Sequence, residues 1–318
     1  MKTYQRILLI AGRDMKRSPA MEQAVWLARE TGAALHLLLL DHNSTLDMVG
    51  HLRHDDVAML HEAFLRERRD WLGEQAAELC ETGLKVTSEA VWTKRPAEEI
   101  ILHAVEWHAD LVVKDIDLHG GIRRVLMTPL DWTLLRRCPA PLLLVNTEHI
   151  APKRIIVAID ALAGGDDPLN ARIVEQALAL AYASNAELHL AYAFQAIAPL
   201  ETMAPAMVPA LSGDLYDTLY RLHHDAFDAF AQRYGVPTER RHFLHGPPGL
   251  ALFDFATESS ADVIVLGTTH RSRLERLLMG STAETILQHL PCDVLAVKPQ
   301  GLATLLAEQA HADLMASA

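Results

Sequence analysis

The chain has 318 residues, half of them hydrophobic and 22% charged, which is long and apolar enough for two domains with separate cores and excludes a disordered protein. A formal net charge of −12 argues against a general nucleic-acid binder, which needs cationic surface to displace counterions from phosphates. Three cysteines without a CxxC pair, no apolar run near the ~20 residues of a membrane span, and no signal-peptide pattern at the N-terminus together predict a cytoplasmic protein in a reducing compartment.

In chain order, YQRILLIAG reads as a buried parallel strand, a continuous aliphatic run behind a basic residue. AMEQAVWLARETG follows as a helix, ALHLLLL as a second strand, and a long helical stretch ends in WLGEQAAELCETGL. VTSEAVWTKRPAEEIILHAVEWHADLVVK then reads strand, turn, helix, strand, with proline near the helix start, where its missing N–H costs least. IRRVLMTPLDWTLLRRCPAPLLLV closes this half.

The same series then repeats. PKRIIVAID, ARIVEQALALAYASN, ELHLAYAF, DAFDAFAQRYGV, TERRHFLHGPPGLALFDFATESSADVIVLG and LERLLMGSTAETILQHLPCDVLAV follow in the same order. Without gaps, Arg124, Leu126 and Met127 fall on Arg276, Leu278 and Met279, and Pro139, Leu143 and Val145 fall on Pro291, Leu295 and Val297. The duplication predicts two tandem, doubly wound α/β domains, each with a five-stranded parallel sheet covered on both faces. Their expected bounds are 1–148 and 149–300, with 301–318 as a helical tail.

Open parallel sheets bind ligands at the carboxyl ends of their strands, near the point where strand order reverses. The loops after the first and fourth strands are therefore the places to look for a site. In the second half, Gly267 ends a strand where the backbone must turn, and Gly280, Ser281 and Thr282 open a helix whose N–H groups and dipole suit a phosphate. The same three residues would also serve as a plain helix cap with nothing bound.

The second half resembles the universal stress protein family, whose nucleotide-binding members carry G-x2-G-x9-G-[ST] after the fourth strand. Gly267, Gly280 and Ser281 occupy three of those four positions at the family spacing, and Asp160 stands where the family places an adenosine-contacting aspartate. TPLDWTLLRRCPAPLLLV, KRPAEEII and GSTAETILQHLPCDVLAVKP extend the resemblance to the family's tandem-domain type, nearly end to end. The resemblance implies that ATP or a related adenine nucleotide binds the second half as a regulatory ligand, with slow hydrolysis at most. It also implies that the halves pair through their final strands in a pseudo-two-fold unit, either as a monomer with an internal pseudo-dimer or as a homodimer. Its protein partner is not named by the sequence.

Two departures stand out. His270 replaces the motif's second glycine. Its ring either crowds the backbone or donates to a phosphate oxygen beside Arg271, and a third reading gives it no role. In the first half Asp115 replaces the first glycine, Leu118 the second and Thr128–Pro129 the Gly–Ser pair, with Gly12 in the place of Asp160. Carboxylates at Asp115 and Asp117 would repel phosphate, so the first half is expected to bind no nucleotide in this way and to act as an internal partner.

The alternative is a nucleotide-independent scaffold, or a carrier of an apolar ligand beside the Pro- and Met-rich segment 198–211, with His270 blocking the phosphate. Among other groups, His51 and Asp55 would share a helical face, but no metal-ligand motif accompanies the seventeen histidines, so no metal site is expected. The tryptophans are expected to pack in the core or at a domain interface, and Cys292 to be a buried thiol. No nucleophile elbow or Walker loop is present.

Overall fold

The computed structural model describes residues 3–43, 46, 54–116, 127–163, 167–195, 213–268, 281–289 and 291–317. Two compact units emerge, one containing Met1–Leu118, Met127–Ala151 and Gly301–Ala318, the other containing Pro152–Gln300.

The first unit runs β1 (Arg6–Ala11), α1 (Pro19–Thr31), β2 (Ala34–Asp41), α2 (His54–Glu81), β3 (Val86–Trp92), α3 (Pro96–Glu106), β4 (Leu111–Asp115), α4 (Pro129–Arg137) and β5 (Leu142–Val145). Its strands lie in the order β3-β2-β1-β4-β5, all parallel, so strand order reverses between β1 and β4. β1, β4 and β5 are almost wholly buried, which explains their uninterrupted aliphatic sequences. β3 lies at one end of this order and buries only Ala90, with Thr87, Ser88 and Glu89 exposed.

The second unit repeats this plan with β6 (Arg154–Ala158), α5 (Pro168–Ser184), β7 (Glu187–Phe194), α6 (Gly213–Arg233), β8 (Arg241–His245), α7 (Pro248–Glu258), β9 (Val263–Gly267), α8 (Ser281–His289) and β10 (Asp293–Val297). The order is β8-β7-β6-β9-β10, again parallel, with the reversal between β6 and β9. The expected doubly wound five-stranded fold is therefore present twice. A last helix, α9 (Gln300–Ser317), buries Ala303 and Leu306 on one face, and Gly301–Ala318 belongs to the first unit.

Helix boundaries follow local chemistry. Ser18 caps α1 by accepting from Met21 N, Pro19 takes the first turn, and Gly32 ends the helix at φ 70°. Asp167 caps α5 through Leu169 N and Asn170 N, at 3.0 and 2.8 Å. Asn185 closes that helix in the left-handed region at φ 52°.

The basic residue ahead of each first strand also has a use. Asp110 accepts from Gln5 N and Arg6 N at 3.0 Å each, and Arg6 Nη1 reaches the Trp107 carbonyl at the end of α3, 3.2 Å away. In the second unit Asp262 accepts from Lys153 N and Arg154 N at 2.7 and 2.9 Å, and Arg154 bonds the Ser259 carbonyl at the end of α7. Each arginine thus meets the negative end of a helix dipole while the aspartate fixes where the first strand begins.

The tryptophans are neither fully buried nor free. Trp92 stacks on His61 with ring centroids 3.9 Å apart and meets Phe64 edge-on, and Trp107 packs on His36. His189 and His242 share a hydrogen bond of 2.9 Å in the second unit. Burial, His189 and Arg154 push the His242 imidazole down to about 4. Cys292 is 1% exposed, and burial raises its thiol far above the ordinary range, as a packing role requires.

Candidate functional site

The switch point of the second unit lies between β6 and β9. β6 ends at Ala158, and Asp160 stands two residues beyond it in the turn before the short 3-10 helix Ala161–Ala163. Its backbone is clamped from α5. The Asn170 carboxamide accepts from Asp160 N at 3.1 Å and donates to Asp160 O at 2.7 Å. Asn170 is 2% exposed, so this amide fixes the turn from inside the fold. The Asp160 carboxylate, only half-buried, accepts from Leu162 N at 3.1 Å.

Opposite it, Gly267 is the last residue of β9. A Cβ built there would lie 2.7 Å from Leu169 Cδ2 and 3.1 Å from its Cγ, so Leu169 of α5 uses the space that the glycine opens. The space beside Gly267 is therefore already taken by the tip of the Leu169 side chain, whatever else the glycine does. Thr268 follows, 2% exposed; its N–H donates to Val297 O at 3.1 Å. Its buried hydroxyl has no hydrogen-bond partner among the described residues, an unusual arrangement at a strand end.

α8 begins at Ser281, with Thr282 half-buried in its first turn. Its approach to the sheet is set by α7. Gly249 lies so close to Thr285 of α8 that an added Cβ would fall 2.4 Å from the Thr285 Cβ. His270, Arg271 and Gly280 lie outside the described residues, as do His51 and the apolar segment 198–211.

The sequence does not single out Asn170 and Thr268 of this region, and it sets His223, in the pair RLHHD, aside as a metal ligand and gives it no role at this site. His223 lies on α6, which packs on the Ala161–Ala163 turn, and its Nδ1 shares a 2.6 Å hydrogen bond with the Tyr192 hydroxyl of β7. Burial lowers its proton affinity, and the Asp160 charge works in the opposite direction. Only the pairing of an Asn three residues past an Asp-Pro helix start with the strand-end aspartate could have hinted at the clamp.

At the equivalent place in the first unit, the helix starts are satisfied from within. Asp115 Oδ1 accepts from Ala20 N of α1 at 2.9 Å. Thr128 and Asp131 form a reciprocal capping box at the start of α4. Lys114 Nζ lies 3.0 Å from Asp131 Oδ1 and donates to Asp115 O at 2.7 Å, and both side chains of the pair are buried. Asp117 and Leu118 lie outside the described residues. Among the described residues no group of three or more His, Cys, Asp or Glu is placed to hold a metal ion, and no helix is long and apolar enough to cross a membrane.

Gly267→Ala is expected to cost about 1–3 kcal/mol by overpacking against Leu169. Leu169→Ala in the same chain should return part of it. Thermal melts and ATP titration of both variants separate the uses of this glycine: a variant as stable as wild type that no longer binds nucleotide would assign it to the ligand.

The universal stress protein family model matches residues 3–146 and again 152–298. Universal stress protein E of Escherichia coli (strain K12) is 29% identical over 306 residues, spanning 94% of this chain and 95% of that protein. The universal stress protein E homolog of Haemophilus influenzae is 27% identical over 305 residues, spanning 93% and 98%. Among solved structures, a putative universal stress protein from Pseudomonas aeruginosa UCBPP-PA14 superposes with a TM-score of 0.76 at 27% identity, covering 97% of this chain and 98% of that one.

Proposed function

Because this chain belongs to the universal stress protein family, with two tandem domains of that family, we propose that its second unit binds ATP or a related adenine nucleotide as a regulatory ligand in the cytoplasm. The observation that carries the reading is the clamped Asp160 turn. The buried Asn170 amide fixes the backbone of the turn that carries Asp160, at the reversal point of the sheet between β6 and β9, where Gly267 ends β9.

In this reading Asp160 accepts a hydrogen bond from adenosine. Gly267 lets the chain turn, and Gly280, Ser281 and Thr282 offer N–H groups and hydroxyls to the phosphates at the positive end of α8. Arg271 adds charge compensation, and His270 either donates to phosphate or crowds it. The first unit, with its helix starts filled by Asp115, Thr128 and Asp131, is a structural partner without nucleotide. Binding shifts how the protein meets a partner, and no turnover is required.

A second reading, a nucleotide-independent scaffold, is favoured by one observation: Leu169 already fills the space beside Gly267. Mass spectrometry of small molecules released from purified protein, followed by ATP calorimetry, decides between them. Wild type should bind, and Asp160→Asn should lose about ten- to a hundredfold in affinity, the worth of a hydrogen bond to a charged group. Gly280→Ala should weaken binding as well. No adenine nucleotide released, and heat with ATP only from His270→Gly, would establish the scaffold reading.

A further inference from the structure

We infer that the hydrogen-bonded pair His189 and His242 is an acid-sensitive latch: uncharged, it ties strand β8 and helix α7 to the sheet of the second unit, and on taking up protons it lets them loosen. The inference concerns a seam on which the nucleotide reading does not draw, so either can fail alone.

The latch joins three elements. His189 Nδ1 of β7 and His242 Nε2 of β8 are 2.9 Å apart, and the His242 ring packs on Phe255 of α7 with centroids 4.4 Å apart. β8 ends the strand order and pairs with β7 on one side. None of its five residues is fully buried, so a side-chain bond to β7 counts for more here than in a central strand. A bond between two imidazoles needs one hydrogen on one of the two facing nitrogens, which the uncharged pair supplies. A first added proton leaves the bond in place but charges the seam. A second puts hydrogens on both facing nitrogens and breaks it.

The surrounding groups define the sign. Arg154 faces the pair from β6, and Arg240 adds positive charge from the short 3-10 helix ahead of β8. Glu187 of β7 is the opposing carboxylate, 3.6 Å from His189 Nε2 and 3.3 Å from Arg240 Nη2. Arg241 of β8 turns instead to Asp228 of α6, at 3.4 Å. Phe255 offers α7 no charge to the pair. Burial first, then these cations, holds both imidazoles below their ordinary value of 6.5, with His242 at about 4. For a base depressed by folding, the stabilisation is complete above 6.5 and is lost as pH falls from 6.5 towards 4.

The first unit holds different groups at the same places. The strand registers fix the match, since Leu38 pairs with Glu89 as Ala191 pairs with His242. His36 stands where His189 does, but its Nδ1 bonds the Thr87 hydroxyl at 2.7 Å. Glu89 replaces His242, and His103 replaces Phe255 with its Nε2 3.4 Å from Glu89. The two-imidazole latch therefore belongs to the second unit.

Hydrogen exchange read by mass spectrometry at pH 7.5 and 5.5, corrected for the intrinsic pH dependence of exchange, tests it. The proteins are wild type and the double variant His189→Gln, His242→Gln, whose two amides can keep a bond across the strands without titrating. Protection of the β8 and α7 peptides should fall about tenfold more in wild type than in the variant. That is the change expected when a group held at about 4 would titrate at 6.5 once released. His223 and the other histidines are common to both proteins and cancel in the difference. Histidine-ring NMR of wild type needs no variant and should show His189 and His242 both titrating below 6.5. Equal loss of protection in the two proteins, or ordinary titration of both rings, overturns the latch. Neither readout involves ATP, so the nucleotide reading stands or falls separately.

Discussion

Lys114→Leu alone is expected to destabilise the first unit by about 3–5 kcal/mol, while Lys114→Leu together with Asp131→Ala recovers most of that loss. The pair is an internal experiment provided by the duplication. Asp131 is fully buried, Lys114 nearly so, and 3.0 Å separates their charged atoms. On the repeat alignment their counterparts are Leu266 and Ala283, each 2% exposed, so the second unit fills the same two places with aliphatic groups. Removing one ion leaves the other charged in a dry interior, and that is the main cost. Removing both eliminates two desolvated charges at once, and the remaining deficit is the lost Asp131 cap on Thr128, about 1 kcal/mol. All five tryptophans, Trp26, Trp71, Trp92, Trp107 and Trp132, belong to the first half, so the urea transition seen by tryptophan fluorescence reports the unit under test. A double variant no more stable than Lys114→Leu would mean that the ion pair holds β4 to α4 in a way leucine and alanine cannot replace.

Gly249→Ala should be the most damaging small substitution in the second unit, costing about 2–3 kcal/mol. The atom its new methyl meets is the Thr285 Cβ, 2.4 Å away, and a Cβ cannot rotate out of reach as a side-chain tip can. α7 and α8 must then separate. The rescue expected from this geometry is specific: Thr285→Ala keeps the offending Cβ and should fail, whereas Thr285→Gly should restore packing apart from about 1 kcal/mol of helix propensity. Far-UV circular dichroism should register the loss while the tryptophan transition stays in place. Because α8 carries Ser281 and Thr282, ATP affinity is expected to fall with the helix displacement even where the unit still folds.

The fold was legible in the sequence because duplication supplied each half with a control. Continuous aliphatic runs such as ILLI and IIVA marked strands buried on both faces, and prolines at positions 96 and 248 marked helix starts that the structure confirms. The candidate site was less legible, for physical reasons. Asp160 was expected to end its strand, but β6 stops at Ala158 and a turn built on Asn170 carries the carboxylate instead. That clamp joins residues ten apart through an amide whose identity means nothing until the helix docks. The Leu169 contact at Gly267 was equally invisible, because glycine reads the same whether a ligand or a neighbouring side chain needs the space. Tyr192 and His223 lie 31 residues apart on different elements, and only the register of β7 under α6 brings them together. Conversely, the strand-start clamps of Asp110 and Asp262 were present in both repeats as ADLVV and ADVIV and could have been read from the pattern.

The assignment of α9 to the first unit has a consequence for biosynthesis. The first unit is discontinuous: its last helix follows Pro152–Gln300, which build the second. At ordinary translation rates those residues take about 7–30 s to emerge. Throughout that interval the nascent first unit lacks its closing helix, whose Ala303 and Leu306 are buried in the finished fold. Ribosome-bound chains stalled before residue 300 should therefore be more readily cut by protease in their first half than the released protein, with the difference disappearing once α9 has been made.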